Sequence, residues 1–182
     1  MASIVHPIHF EDYSGVQFER LAFAYHVRTG WRDLIWHGQS GSDQGRDIFG
    51  IEEFDDRPSR KTIIQCANRD MLTLAKARTD MEKAVEATGG TPDAFKFICR
   101  GAVSDASRTR ISDSAAALGV AHVTIWSSVE FEENLRLRGE YLLHRFVQGV
   151  EFPEAEAEIR KFVDDFPGLS DAEALGLMAA VF

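Results

Sequence analysis

The chain has 182 residues, of which 45% are hydrophobic and 27% charged, with a net charge of −9. That suits one ordinary globular domain with a small extension, and argues against two full domains or extensive disorder. The acidic balance argues against a strong sequence-independent grip on phosphate backbones, because that grip comes from Lys and Arg displacing counterions.

No apolar run reaches the ~18 residues of a membrane span, and the N-terminal MASIVHPIHF lacks a basic region followed by a long apolar one. A cytoplasmic chain with no membrane partner is the expectation. In the leader up to Tyr13, His6 and His9 flank Pro7 with no Cys or carboxylate in metal-binding register, so a plain surface segment is expected there. Phe18, Leu21, Ala22 and Tyr25 recur at helical spacing from Ser14, and Gly30 ends a helix predicted over Ser14 to Thr29. Glu19 sits at the rim of its apolar face, where it either points at a sheet end or is a solvated helix carboxylate. Trp31 to Trp36 reads as the first strand.

The loop from Gly38 to Gly45 is no phosphate-binding loop, because no Gly-Lys-Ser/Thr follows its glycines. It is no dinucleotide fingerprint either, because it leads to a strand where a helix is required. Gly41 and Gly45 let the backbone turn tightly and deliver Asp47 onto a second strand through Ile48, Phe49 and Ile51. After the polar connection Glu52 to Ser59, a third strand runs through Thr62, Ile63 and Ile64 to Gln65. If these two strands are neighbours, Asp47 and Gln65 meet at one sheet end. A carboxylate beside a second oxygen donor suits a hard cation such as Mg²⁺.

Beyond the turn Asn68-Arg69-Asp70, a helix is predicted from about Leu72 to Thr88, stopped by Gly89-Gly90, with Leu74, Ala77, Met81, Ala84 and Val85 as its buried stripe. Lys76, Asp80 and Lys83 share another face, which is either an exposed salt-bridge ladder or a source of ammonium groups for the sheet end. Phe95 to Arg100 fits a central strand. Ser104 or Asp105 caps a helix reaching Leu118, with Arg100, Arg108 and Arg110 as a compact basic cluster. Val120 to Trp126 reads as the last strand, and strand, helix, strand in that order imply a right-handed crossover and parallel pairing. Ser127-Ser128 open a helix to Arg138 with Phe131 and Leu135 inward, and Tyr141 to Val147 is a further short helix.

A boundary is expected near Gly149 to Pro153, dividing a domain over residues 1–150 from a helical extension over residues 151–182. In the extension, Ala155 to Phe166 reads as an acidic amphipathic helix, Pro167-Gly168 breaks it, and the apolar ending LGLMAAVF points to docking or to continuation into a further domain. Cys66 and Cys99 lie in apolar strand-like runs, so both are expected to be buried reduced thiols. Serine hydrolase chemistry lacks its Gly-x-Ser-x-Gly frame, zinc hydrolysis lacks an HExxH frame, and the aromatics fall on apolar faces where core packing explains them better than RNA stacking.

Phe18-Glu19-Arg20-Leu21 on a helix, then Gly41-Ser42-Asp43-Gln44-Gly45-Arg46-Asp47, then Ile64-Gln65-Cys66 resemble the Mrr-like branch of the PD-(D/E)xK restriction-endonuclease superfamily. That family reads FE in its first helix, GxDxGxD entering a strand, and QxK or ExK on the next strand. The resemblance spans roughly Tyr13 to Gly149. One departure stands out: two residues after Gln65, where the family keeps its lysine, this chain has Ala67. Elsewhere in the superfamily the following helix supplies that lysine, and Lys76 and Lys83 lie on such a helix. Lys76 is the first choice, because it sits in the first turns, which pass the same sheet end, while Lys83 lies about two turns further along.

The resemblance implies an α/β, restriction-endonuclease-like mixed sheet of four or five strands flanked by helices. It implies an endodeoxyribonuclease that depends on Mg²⁺ or Mn²⁺, with the metal held by Asp47, Gln65 and Glu19, and with Lys76 or Lys83 beside the attacked phosphate. DNA is the implied substrate, and prokaryotic anti-phage defence or restriction is the implied setting. A homo-oligomer and a C-terminal sensor domain or partner protein are the implied company. A nuclease of this net charge needs a local basic rim, for which Arg46, Arg69, Lys76 and Lys83 are the candidates. The alternative is a catalytically silent Mrr-like domain serving as a binding or assembly module, which Ala67, Gln65 in place of an acid, and the acidic balance favour.

Overall fold

The computed structural model describes residues 6–38 and 47–149. The loop glycines Gly41 and Gly45, together with Asp43, Arg46 and the helices expected after residue 150, lie outside the described residues. After a short 3-10 turn at Phe10–Asp12, helix α1 (Gly15–Arg28) begins where the Ser14 hydroxyl accepts the Gln17 N–H and the Gln17 side chain accepts the Ser14 N–H, a reciprocal cap. Strand β1 (Arg32–Trp36), β2 (Ile48–Glu52) and β3 (Arg60–Ala67) follow, then α2 (Leu74–Thr88), β4 (Ala94–Cys99), α3 (Asp105–Ala117), β5 (His122–Trp126) and α4 (Ser128–Arg138). Thr73 and Ser104 cap α2 and α3 with their hydroxyls, and Gly89, in the left-handed region at φ 63°, closes α2.

The five strands form one sheet in chain order. The pairs β1–β2 and β2–β3 are antiparallel, while β3–β4 and β4–β5 are parallel. This is an α/β fold with a mixed sheet, and the parallel pairing across α3 is as expected. The register slips between Arg32 and Ile35 on the edge strand β1, where Asp33 takes a left-handed φ of 50°.

Helices cover both faces of the sheet. On one, Ala77, Met81 and Ala84 of α2 and Ile111 and Ala115 of α3 pack with Ile63, Phe95, Phe97 and Ile125. On the other, Phe18 and Tyr25 of α1 meet Phe131 of α4, with Phe10 and Trp126 completing an aromatic cluster. The inward Phe18, Leu21, Ala22, Tyr25, Phe131 and Leu135 all agree with the helical spacing. Into the second face projects Lys96, 95% buried, its ammonium 3.4 Å from the Trp126 ring centroid and 5.1 Å from that of Trp31. Burial brings its pKa down to about 7; the Glu52 carboxylate opposes that shift and Arg138 adds to it.

Three readings are corrected. Leu74 is exposed at the start of α2 and is no part of the stripe, whereas Asp80 is buried beside Ala77 and Met81. Of the expected basic cluster Arg100, Arg108 and Arg110, the first two are already engaged in ion pairs. Arg100 pairs with Asp70 at 2.5 Å, and Arg108 pairs with Glu130 at 2.6 Å while donating to the Ile125 carbonyl. These two arginines tie elements together. Cys99 is a buried free thiol, but Cys66 is only partly buried.

The chain divides into two compact units, Met1–Gly139 and Glu140–Phe182. Among the described residues, the second contains the short helix α5 (Glu140–Phe146). No helix among the described residues is long and apolar enough to cross a membrane.

Candidate functional site

The antiparallel register sets Ile48 opposite Ile64, so Asp47, one residue before β2, falls beside Gln65, one residue further along β3. Backbone bonds pin this end of the sheet. The His37 N–H donates to the Asp47 carbonyl at 2.8 Å, and the Cys66 N–H donates to Asp47 Oδ2 at 2.6 Å. Both Asp47 and Gln65 are buried to 5% exposure. The Cys66 N–H holds and aims the carboxylate withdrawn that far from water, while the His37 bond fixes the Asp47 backbone.

Around these two residues lies a cleft of about 310 Å³. From α1 come Gly15 and Glu19, and from the sheet end come Asp47, Gln65, Cys66 and Ala67. The turn after β3 adds Asn68 and Arg69, α2 adds Lys76 and Asp80, and Phe97 of β4 forms its apolar wall. The Trp36 indole N–H donates to Glu19 Oε2 at 3.3 Å. Gly38 leaves room for that carboxylate: a Cβ there would lie 2.1 Å from Glu19 Oε2 and 2.6 Å from the indole nitrogen. Asn68 donates through its side-chain nitrogen to the Tyr13 carbonyl at 2.9 Å, tying the turn to the start of α1.

Of the five residues singled out from the sequence, Glu19, Asp47, Gln65 and Lys76 line this one cleft, and Lys83 does not; it is exposed on α2. Of the expected basic rim, Arg69 and Lys76 are present, Lys83 is absent, and Arg46 lies outside the described residues. Lys76 is bound to Asp80 in an i, i+4 ion pair, so one rung of the expected ladder exists, but its acid is buried instead of solvated. Asp80 was legible only as that rung. Nothing in the local pattern marks it as a lining residue.

The Cys66 thiol is pushed well above its ordinary value, first by burial and then by the negative charges of Asp47 and Glu19. A thiol so held is protonated at neutral pH and is a poor nucleophile, which leaves the oxygen groups and the ammonium as the working chemistry.

A hard divalent cation in this cleft would meet the Asp47 and Glu19 carboxylates and the Gln65 amide oxygen. No group of three or more His, Cys, Asp or Glu side chains able to hold a metal occurs among the described residues. The donors therefore do not make an all-protein cage. They do fit Mg²⁺ or Mn²⁺ bound through one or two carboxylates, with waters and substrate oxygens filling the rest. Among the described residues the lining holds three carboxylates, Glu19, Asp47 and Asp80, and two cations, Arg69 and Lys76.

Comparison with protein-family models finds no match, and comparison with curated proteins finds none either.

Proposed function

We propose that this chain is a metal-dependent nuclease that hydrolyses phosphodiester bonds, with DNA as its substrate, in the manner of the Mrr-like endonucleases its motifs resemble. The observation that carries the proposal is the convergence of Glu19 of α1, Asp47 just before β2, Gln65 of β3 and Lys76 of α2 on one polar cleft at the end of β3.

A bound divalent cation supplies a water of lowered pKa and a counter-charge to the developing phosphorane. Asp47, aimed by the Cys66 N–H, and Glu19, aimed by the Trp36 indole, would offer carboxylate oxygens to such a cation, and Gln65 its amide oxygen. The Lys76 ammonium takes the place that the strand lysine has in the family, opposing the charge that builds on the attacked phosphate. Arg69 at the mouth receives the backbone of the nucleic acid. Among the described lining residues the carboxylates outnumber the cations, so a phosphate approaching them would be repelled unless a bound cation offset their charge. An effector role in prokaryotic defence, with a homo-oligomer and a sensor carried by or joined to the C-terminal segment, completes the proposal.

The second reading, a silent binding or assembly module, is favoured by Ala67 at the motif position and by the existing engagement of Lys76 with Asp80. Supercoiled plasmid incubated with Mg²⁺ or Mn²⁺ separates the two. Wild type is expected to nick it, and Asp47→Ala is expected to lose that activity by on the order of 10²-fold or more while remaining folded. Absence of nicking by wild type on any nucleic acid with either metal leaves the silent module standing.

A further inference from the structure

Asp80 belongs to none of the motif positions, yet it lines the cleft. Helix α2 carries two ion pairs of the same i, i+4 spacing, and they differ. Arg78 and Glu82 have side chains 64% and 45% exposed, the solvated kind that contributes little. The Lys76 and Asp80 side chains are 39% and 7% exposed, and both face the cleft that contains Asp47 and Gln65. A carboxylate withdrawn from water to that degree is retained where a cation meets it, and among the described residues Lys76 is that cation. Lysine is a point charge on a flexible four-carbon stem, so an untethered Lys76 would spread its ammonium through the solvent above the first turn of α2.

Resting on the nuclease reading above, we propose that Asp80 is a positioning residue, which holds the Lys76 ammonium at the strand end where Ala67 provides no amine. Asp80 lies one turn further along the helix than Lys76 and is buried on the cleft side, so the pair draws the ammonium inward from the helix rim. The positioning is pre-formed: the ammonium is aimed before any nucleic acid arrives, and no reorganisation is needed during the reaction. Misplacing such a group by about 1 Å costs on the order of 10²-fold in rate.

The test compares full-length wild type, Asp80→Asn, Asp80→Glu, Lys76→Ala and the double variant Lys76→Ala/Asp80→Asn. Plasmid cleavage kinetics are measured with Mg²⁺ or Mn²⁺, thermal unfolding is followed, and the NMR order parameter of the Lys76 ammonium is recorded without metal. Asp80→Asn is expected to lower kcat by ~10²-fold with KM little changed, and to add nothing to Lys76→Ala. It is also expected to lower the Lys76 order parameter. Asp80→Glu keeps the charge but displaces the ammonium by one methylene, so its kcat falls between those of wild type and Asp80→Asn; it also carries the test if Asp80→Asn fails to fold.

A Lys76 order parameter unchanged by Asp80→Asn overturns the proposal. So does a double variant whose losses multiply, because Asp80 then acts on its own. A wild type that cleaves neither DNA nor RNA removes the nuclease reading alone, and the order parameter still decides whether Asp80 positions Lys76.

Discussion

Two groups with no acid of their own place the Glu19 carboxylate: the Trp36 indole, which donates to it, and Gly38, which makes room for it. A methyl group at Gly38 meets the far ends of two side chains and no backbone, so the fold can absorb it while the carboxylate cannot stay where it is. Gly38→Ala is therefore expected to leave the unfolding midpoint within a degree or two, in keeping with the ~0.5 kcal/mol ceiling on surface substitutions, while reducing cleavage severalfold. Intact cleavage in that variant would show that Glu19 is not used. The lysines separate in the same way. Lys76→Ala is expected to lower cleavage by ~10²-fold and Lys83→Ala to leave it unchanged, because only Lys76 lines the cleft. Lys83→Ala should melt with wild type, since an exposed lysine contributes ~0–1 kcal/mol, whereas Lys76→Ala leaves the buried Asp80 carboxylate without its cation and is expected to lower the unfolding midpoint.

At the scale of elements, the turn from Asn68 to Asp70 is held from below by the start of the loop after β4. The Arg100 N–H donates to the Ala67 carbonyl at 3.0 Å, and the Arg100 side chain reaches Asp70. Gly101 packs so close to this turn that a Cβ there would lie 1.9 Å from the Asp70 carbonyl oxygen. Backbone cannot step aside as a side-chain tip can. Gly101→Ala is thus expected to destabilise the chain by ~1–3 kcal/mol in a denaturant titration, and to lower cleavage by displacing Asn68 and Arg69, which line the cleft. Wild-type stability would mean that the turn yields more easily than its bonds suggest. Helix α2 carries the instructive misreading. Its apolar spacing put Leu74 inside and Asp80 outside, but the helix is rotated so that its first turns border a polar cleft and the core begins only at Ala77.

For the whole molecule, a buried electrostatic liability is Lys96, whose ammonium lies against the rings of Trp126 and Trp31 beneath α1 and α4. Its neighbours are His26 of α1, also held well below its usual value by burial and by the Lys96 charge, Glu52 of β2 and Arg138 of α4. The folded pKa of about 7 lies below the ~10.4 of an unfolded lysine. Between those values the unfolded chain holds a proton that the folded chain has released, so stability rises with pH across that window. The contribution is complete above ~10.4 and is lost as pH falls through about 7. Lys96→Met, which keeps the volume and the contact with the rings, is expected to stabilise the chain at pH 6–7 by on the order of a few kcal/mol, and so to raise its unfolding midpoint. It is also expected to flatten the wild-type rise between pH 7 and 9.5. Parallel pH profiles for the two proteins would mean that the cation–π contacts compensate the burial in full.

What the sequence by itself determined is local. The cap at Ser104 or Asp105, the Ser127-Ser128 opening, the 3.6-residue spacing of α1 and α4, and the alternation of short apolar runs with polar turns placed every described α-helix and strand, though not the 3-10 turn at Phe10–Asp12, to within a few residues, because each signal acts within one turn or one strand pair. The meeting of Asp47 with Gln65 was legible for the same reason, since neighbouring strands fix their own register. That Lys76 lies nearer the sheet end than Lys83 was legible as well, from its place in the first turns of the helix. That Asp80 is buried in the cleft, and that Trp36 and Gly38 set the Glu19 carboxylate, were decided by tertiary structure alone. They depend on how α1 and α2 are rotated against opposite faces of the sheet, and that rotation is set by the packing of Phe18, Tyr25, Ala77 and Met81 against residues distant in the chain.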